Sequence, residues 1–241
     1  ASAPSTPLTR LVPTPVPFSH RATTETLTLP KHATILINDD DPALAAAIVA
    51  ACARRSLTAR LVSVNDFADF RPGEIPGGLI LLAPAASRDE FPKLAFLAAQ
   101  RAGATLRRNA KNQPAFLATV SRLGGAFGLD TTQPIPQPLS GSLAGLAKTA
   151  AREWPELHCK AIDLDSEISL DAAADAILDE SLRIGPGEVG ITQRGRIRID
   201  TVESTPAPTS ASTPTAPALA PGDVVIITGG SRGVKIGRAH V

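Results

Sequence analysis

Between Ala33 and Asp200 the chain alternates short continuous apolar runs with longer stretches in which apolar residues recur at spacings of three and four. The first pattern belongs to strands buried on both faces, the second to amphipathic helices. "ATILIN" predicts a strand, and "DPALAAAIVAACARR" a helix started by Asp41 and Pro42. "TARLVSV" and "GGLILLA" follow as two strands. A helix over "RDEFPKLAFLAAQRA" must hold Pro92 in its first turn, where no backbone N–H is required, and "AFLATVSRL" reads as the next strand. In "LSGSLAGLAKTAAREWP", Leu139, Leu143, Leu146, Ala150 and Trp154 fall on one helical stripe, Ser140 or Ser142 supplies a cap, and Pro155 stops the helix. "LHCKAIDLD" is a strand. Leu170 to Arg183 repeats the helical stripe through Leu170, Ala174, Ile177, Leu178 and Leu182, with Gly185-Pro186 ending it, and "EVGIT" and "RIRID" close the series.

Strands that alternate with helices and read as unbroken apolar runs predict a mostly parallel sheet covered on both faces. The fold class expected for residues 30–200 is therefore α/β, a Rossmann-like doubly wound domain. Residues 1–29 carry Pro4, Pro7, Pro13, Pro15 and Pro17 among Ser and Thr, and are expected to be an incoming linker that does not pack. Residues 201–221, "TVESTPAPTSASTPTAPALAP", predict a second linker. Residues 222–234 then open another α/β unit with the strand "DVVIIT" and a glycine-rich turn.

Composition narrows the function. Lysine plus arginine (24) nearly balance aspartate plus glutamate (23) with no basic run, which argues against nucleic acid as a partner. The longest apolar stretch, "ALAAAIVAACA", is too short to cross a bilayer, so no membrane span is expected. Cys52 and Cys159 lie far apart in apolar segments, the pattern of buried thiols in a reducing compartment, and a cytoplasmic location is expected. The chain has no methionine, so its start "ASAPSTPLTR" is expected to be a cut or the interior of a longer polypeptide. It also has no tyrosine, the usual proton donor of short-chain reductases.

Three places could carry chemistry. Asp39 to Asp41 end the first strand of the domain, as the metal-binding carboxylates of a response-regulator receiver would. The strand "GGLILLA", however, runs into Ala83-Pro84 where a phosphorylated aspartate should stand, and Asp41 also reads simply as a helix cap. The same turn lacks the glycines of a dinucleotide loop. Lys148 sits where a reductase helix carries Tyr-x-x-x-Lys, but the residue four before it is Ala144, so a surface lysine is expected. His20, His32, His158 and His240 have no metal-ligand spacing. The third place, Thr228, Gly229, Gly230, Ser231, Arg232 and Gly233, follows an apolar run directly and supplies pliable backbone, N–H groups for a phosphate and a cation. Its alternative is a plain glycine turn.

"TGGSRGV" after "PGDVVIIT", with "GSLAGLAKTAAREWPELHCKAIDLD" and "GPGEVGIT" upstream, resembles the ketoreductase region of multidomain polyketide synthases and polyunsaturated fatty acid synthases over about residues 30–234. The resemblance implies two Rossmann-like units in tandem, a truncated non-catalytic structural subdomain and then a catalytic subdomain that binds NADPH. It implies that Thr228, Gly229, Gly230, Ser231, Arg232 and Gly233 begin the NADPH site, with Arg232 placed to favour a 2′-phosphate. It also implies a β-ketoacyl substrate carried on an acyl carrier protein, neighbouring synthase domains as partners, and no catalytic residue within this chain. The likeness departs at Lys235. Ile236 to Val241 back-translate as ATC GGA AGA GCA CAC GTC, a common sequencing-library adapter, so residues 235–241 are expected to be a non-native tail.

Overall fold

The computed structural model of the chain describes residues 9–18, 25–130, 135, 137–204, 222 and 224. In order they form β1 (Arg10–Pro17), β2 (Ala33–Asn38), α1 (Pro42–Arg54), β3 (Thr58–Val62), β4 (Ile75–Leu82), α2 (Phe91–Ala110) and β5 (Phe116–Ser121). A short 3-10 turn (Pro138–Gly141) leads into α3 (Ser142–Glu153), β6 (His158–Leu164), α4 (Leu170–Leu182), β7 (Glu188–Thr192) and β8 (Gly195–Ser204). The chain divides into two units, residues 1–204 and 205–241. Only Gly222 and Val224 of the second are described, Gly222 with a φ of +100° that suits glycine.

One eight-stranded sheet runs in the order β1-β8-β7-β6-β5-β4-β2-β3. Strands β2 to β7 are parallel to their neighbours, and β8 and β1 add on antiparallel. Helices α1 and α4 cover one face through Leu44, Ile48, Ile177 and Leu178 over Ile35, Ile37 and Ile162. On the other, α2 and α3 cover Leu36, Leu79, Leu81 and Leu117 with Ala95, Ala99, Ala102 and Leu143. This is the doubly wound α/β fold that the alternating pattern predicts. Its six parallel strands follow the order second-first-third-fourth-fifth-sixth, which begins as the flavodoxin-type variant of the class does. β3 reaches β4 by the loop 63–74, with Val64 and Phe67 buried, and no helix.

Four local expectations change. The prolines of the first stretch do not keep it off the sheet, because Arg10–Pro17 is a strand paired with β8. The Phe18 N–H donates to the Arg196 carbonyl in the same register, so even-numbered residues bond inward. Pro13, Pro15 and Pro17 therefore occupy positions whose missing N–H faces away from the sheet. Further on, the Leu27 N–H donates to the Leu182 carbonyl and the Ile184 N–H to the Glu25 carbonyl, tying residues 25–27 to the end of α4. At its other end β8 continues to Ser204, into the stretch expected as a linker. Helix α2 extends past Ala102 through Gly103, where a Cβ would come within 2.7 Å of the Trp154 ring, so glycine here makes room for an indole and does not end the helix. Neither Ser140 nor Ser142 caps α3. Their hydroxyls donate to the carbonyls of Gln137 and Leu139 in the preceding turn.

At Gly190 in β7 an added Cβ would run into the Gly125 carbonyl oxygen and lie 2.5 Å from Ile197. The first neighbour is backbone and cannot rotate away. Gly190→Ala is expected to lower stability by about 1–3 kcal/mol, read as a reduced urea midpoint with unchanged slope.

Candidate functional site

In an open doubly wound sheet, ligands bind beyond the carboxyl ends of the strands where the order reverses, here between β2 and β4. The residues at that point are Asn38 to Asp41, Ala83 to Arg88, and Arg122. Asn38 is fully buried. Its Nδ2 donates to the Leu82 carbonyl (3.0 Å) and to Asp40 Oδ2 (2.9 Å), and its Oδ1 accepts from the Leu82 N–H (2.6 Å). The side-chain amide thus continues the β2–β4 ladder after backbone pairing has ended. Further along, the Ala85 N–H donates to the Asp40 carbonyl and pins the two outgoing segments together.

The carboxylates here are already engaged. Asp40 Oδ1 accepts from Arg88 Nη1 at 2.8 Å, and Arg88 also reaches the Asn65 side-chain carbonyl and Glu90. Asp41 is 3% exposed, accepts from the Leu44 N–H as the cap of α1, and lies 2.6 Å from Arg122 Nη2. Asp39 is exposed. Among the described residues no group of three or more His, Cys, Asp or Glu could hold a metal. The nearby cleft between Pro84, Arg88, Phe91 and Ser140 has a volume of about 10 Å³, room for one water at most.

Beside this point, residues 122–129 lie across the carboxyl edge, with positive φ at Gly124, Gly125, Phe127 and Gly128. Such turns gather N–H groups into an anion-binding hollow. Here the anion is the protein's own. Asp163, at the end of β6 and fully buried, accepts from the Ser121 hydroxyl (2.7 Å) and the N–H groups of Leu123 (2.7 Å) and Phe127 (2.8 Å), with Gly125 adding a further backbone bond. Burial pushes its carboxyl up, and these donors pull the other way.

At the opposite end of the strands lies a buried ionic cluster. Lys160 Nζ is wholly enclosed, 2.8 Å from Glu180 Oε1 and donating to the Arg183 carbonyl at 2.6 Å. Glu180 Oε2 lies 2.6 Å from Arg196 Nη2, and the Phe18 ring stacks on that guanidinium with 4.8 Å to its centroid. Desolvation holds Lys160 below the ordinary lysine range, against the pull of Glu180. Burial and the Lys160 charge also depress His158, whose Nε2 has no partner among the described residues.

A depressed histidine means that the unfolded chain takes up a proton before the folded one does. Stability should therefore fall as pH drops below the free histidine value of about 6.5, until pH reaches the lowered folded value. Replacement by Gln should flatten that part of a stability-against-pH curve, measured by urea unfolding.

The remaining sequence candidates take plain roles. Lys148 pairs with Glu188 at 2.8 Å on the surface, and Ala144 beside it is buried. Cys52 and Cys159 are buried and free, their thiols pushed up by burial to about 11 and about 12, so they stay protonated and inert. His32 is exposed, whereas His20 and His240 lie outside the described residues. So do Thr228, Gly229, Gly230, Ser231, Arg232 and Gly233. No helix among the described residues is long and apolar enough to cross a membrane. Sequence reasoning missed Lys160, Glu180 and Asp163. The available signal was a lysine and an aspartate inside the otherwise apolar strand "CKAIDL", where neither could reach water.

No protein-family model matches the chain, and no curated protein sequence does. Solved structures do match in fold. A C2-type ketoreductase from a modular polyketide synthase aligns over 82% of this chain and 44% of its own, with 18% identity and a TM-score of 0.53. A-type ketoreductases from a modular polyketide synthase align over 84% and 43%, with 16% identity and a TM-score of 0.51. A multidomain structure with adenylation, ketoreductase and pseudo-Asub parts, from a keto acid-selecting NRPS module, aligns over 81% and 18%, with 11% identity and a TM-score of 0.52. The chain spans less than half the length of each.

Proposed function

We propose that residues 30–200 are the non-catalytic structural subdomain of an NADPH-dependent β-ketoacyl reductase in a polyketide or fatty acid synthase, and that Thr228 to Gly233 begin its NADPH site. The observation that carries this reading is the switch point between β2 and β4, where Asn38, Asp40–Arg88 and Asp41–Arg122 fill the place a cofactor would take. A doubly wound domain closed in this way supplies a frame, and the glycine turn downstream supplies the site. On this reading NADPH binds at Gly229, Gly230 and Gly233 with Arg232 near the 2′-phosphate. Bound there, the cofactor would supply hydride for a β-ketoacyl group on an acyl carrier protein, among neighbouring synthase domains in the cytoplasm. The ketoreductases that share the fold support it.

The test is to recover the coding DNA that follows Val234 and express the chain with its genomic continuation. The extended protein should oxidise NADPH with a β-ketoacyl thioester, and the 241-residue chain should not. NADPH oxidation by the 241-residue chain alone would reject the division of labour, and so would an extended chain without serine and tyrosine in catalytic spacing.

The strand order also suits a second reading, a degenerate receiver-like binding domain, since receivers share the second-first-third order. It requires Asp39 or Asp40 to hold Mg²⁺ beside a phosphorylated residue, yet Asp40 is bound to Arg88 and Ala83 stands at the end of β4. No Mg²⁺-dependent phosphorylation by a small phosphodonor is expected, and incorporation of phosphate would favour this alternative.

A further inference from the structure

An edge strand exposes a row of backbone donors and acceptors that can pair with another chain, the more readily when its side chains are apolar. Among the described residues β1 is such an edge, at one end of the eight-stranded order. The risk is high at this place. Leu11 is 58% exposed, and Ile197 and Ile199 across from Pro17 and Pro15 are only half-buried. β7 pairs with β8 only as far as Ile197, so from Arg198 to Ser204 the sole sheet partner of β8 among the described residues is β1.

The register determines which backbone groups face outward. Because the Phe18 N–H bonds to the Arg196 carbonyl, and the pairing runs without a bulge from Pro17↔Ile197 to Arg10↔Ser204, residues 12, 14 and 16 turn their N–H groups toward β8. Residues 11, 13, 15 and 17 turn theirs outward. Three of those four are proline, so the outer edge offers carbonyl acceptors and, between Leu11 and Pro17, the single N–H of Leu11. An added strand would lose the donors it needs at three alternate positions and leave its own carbonyls unpaired.

We propose that Pro13, Pro15 and Pro17 act together as a guard that prevents a second copy of this chain from pairing edge to edge along β1. The proline content of "RLVPTPVP" is then a device against association and has its own spacing rule, prolines at every second position on the unpaired side.

The test uses the full chain with Pro13, Pro15 and Pro17 all changed to Val, followed by sedimentation velocity from roughly 10 µM to 1 mM. The expected result is concentration-dependent association at least about tenfold tighter than that of the parent chain. It should be reversed by adding Leu11→Lys to the triple variant, since a charge on the apolar edge opposes pairing. Thr14→Val alone adds a β-branched apolar residue without restoring an outward N–H, and should leave the mass distribution unchanged. If the triple variant does not fold, Pro15→Val alone should give a smaller shift in the same direction. A folded valine variant no more associated than the parent would overturn the proposal. So would association that Leu11→Lys does not reverse or that Thr14→Val reproduces.

Discussion

Changing Glu180 to Ala is expected to cost about 3–5 kcal/mol of stability, a large part of the roughly 5–15 kcal/mol that holds a domain together. The carboxylate serves two cations at once, Lys160 at 2.8 Å and Arg196 at 2.6 Å, and is itself 2% exposed. Removing it leaves the Lys160 ammonium enclosed, with only the Arg183 carbonyl among the described residues to accept from it. Loss of both charges is far milder than loss of one, because the desolvation of the pair disappears together with its attraction. The double change Lys160→Met with Glu180→Met should therefore recover much of what Glu180→Ala loses. Urea unfolding of the parent, the single variant and the double variant measures all three values. A single variant within about 1 kcal/mol of the parent would show that water reaches the cluster.

The second large effect is expected at Asp163. Asp163→Ala removes the acceptor shared by the Ser121 hydroxyl and the N–H groups of Leu123 and Phe127, and should cost about 3–4 kcal/mol. Asp163→Asn keeps one acceptor oxygen but turns an NH₂ toward a backbone N–H, and should cost less, about 1–3 kcal/mol. Beyond stability, the loop 122–129 depends on this carboxylate for its shape. Amide hydrogen exchange at Leu123 and Phe127 should accelerate more in Asp163→Ala than exchange in α1, which shares no bond with Asp163. Uniform acceleration across the domain would instead place the loss in global unfolding alone.

Much of the fold was readable because β2, β4, β5 and β6 are buried on both faces and therefore appear as unbroken apolar runs. The parts that were not readable depend on contacts between distant residues. Gly103 looks like the end of a helix until Trp154, far along the chain, is seen against it. Pro13, Pro15 and Pro17 look like a linker until β8 supplies a partner on the other side of the strand. Lys160 and Asp163 stand out as charges in an apolar strand, but nothing local to them names Glu180, Arg196 or the N–H groups of the loop 122–129. Of the candidate site, the lack of glycines after β2 was legible, whereas the arginines that meet Asp40 and Asp41 come from 48 and 81 residues further along the chain, at Arg88 and Arg122. For Thr228 to Gly233 the sequence motif remains the whole basis of the assignment.

The closed switch point is tested most directly by titrating the isotopically labelled 241-residue chain with NADPH and following the backbone amides of Asn38, Asp40, Arg88, Gly125 and Leu123 by two-dimensional NMR. With Asp40 and Asp41 held by arginines and the adjoining hollow filled by Asp163, the expected result is no saturable shift at these amides up to roughly 1 mM cofactor. Saturable shifts centred on Asn38 and Asp40 would contradict it, and would mean that the first unit binds the dinucleotide itself.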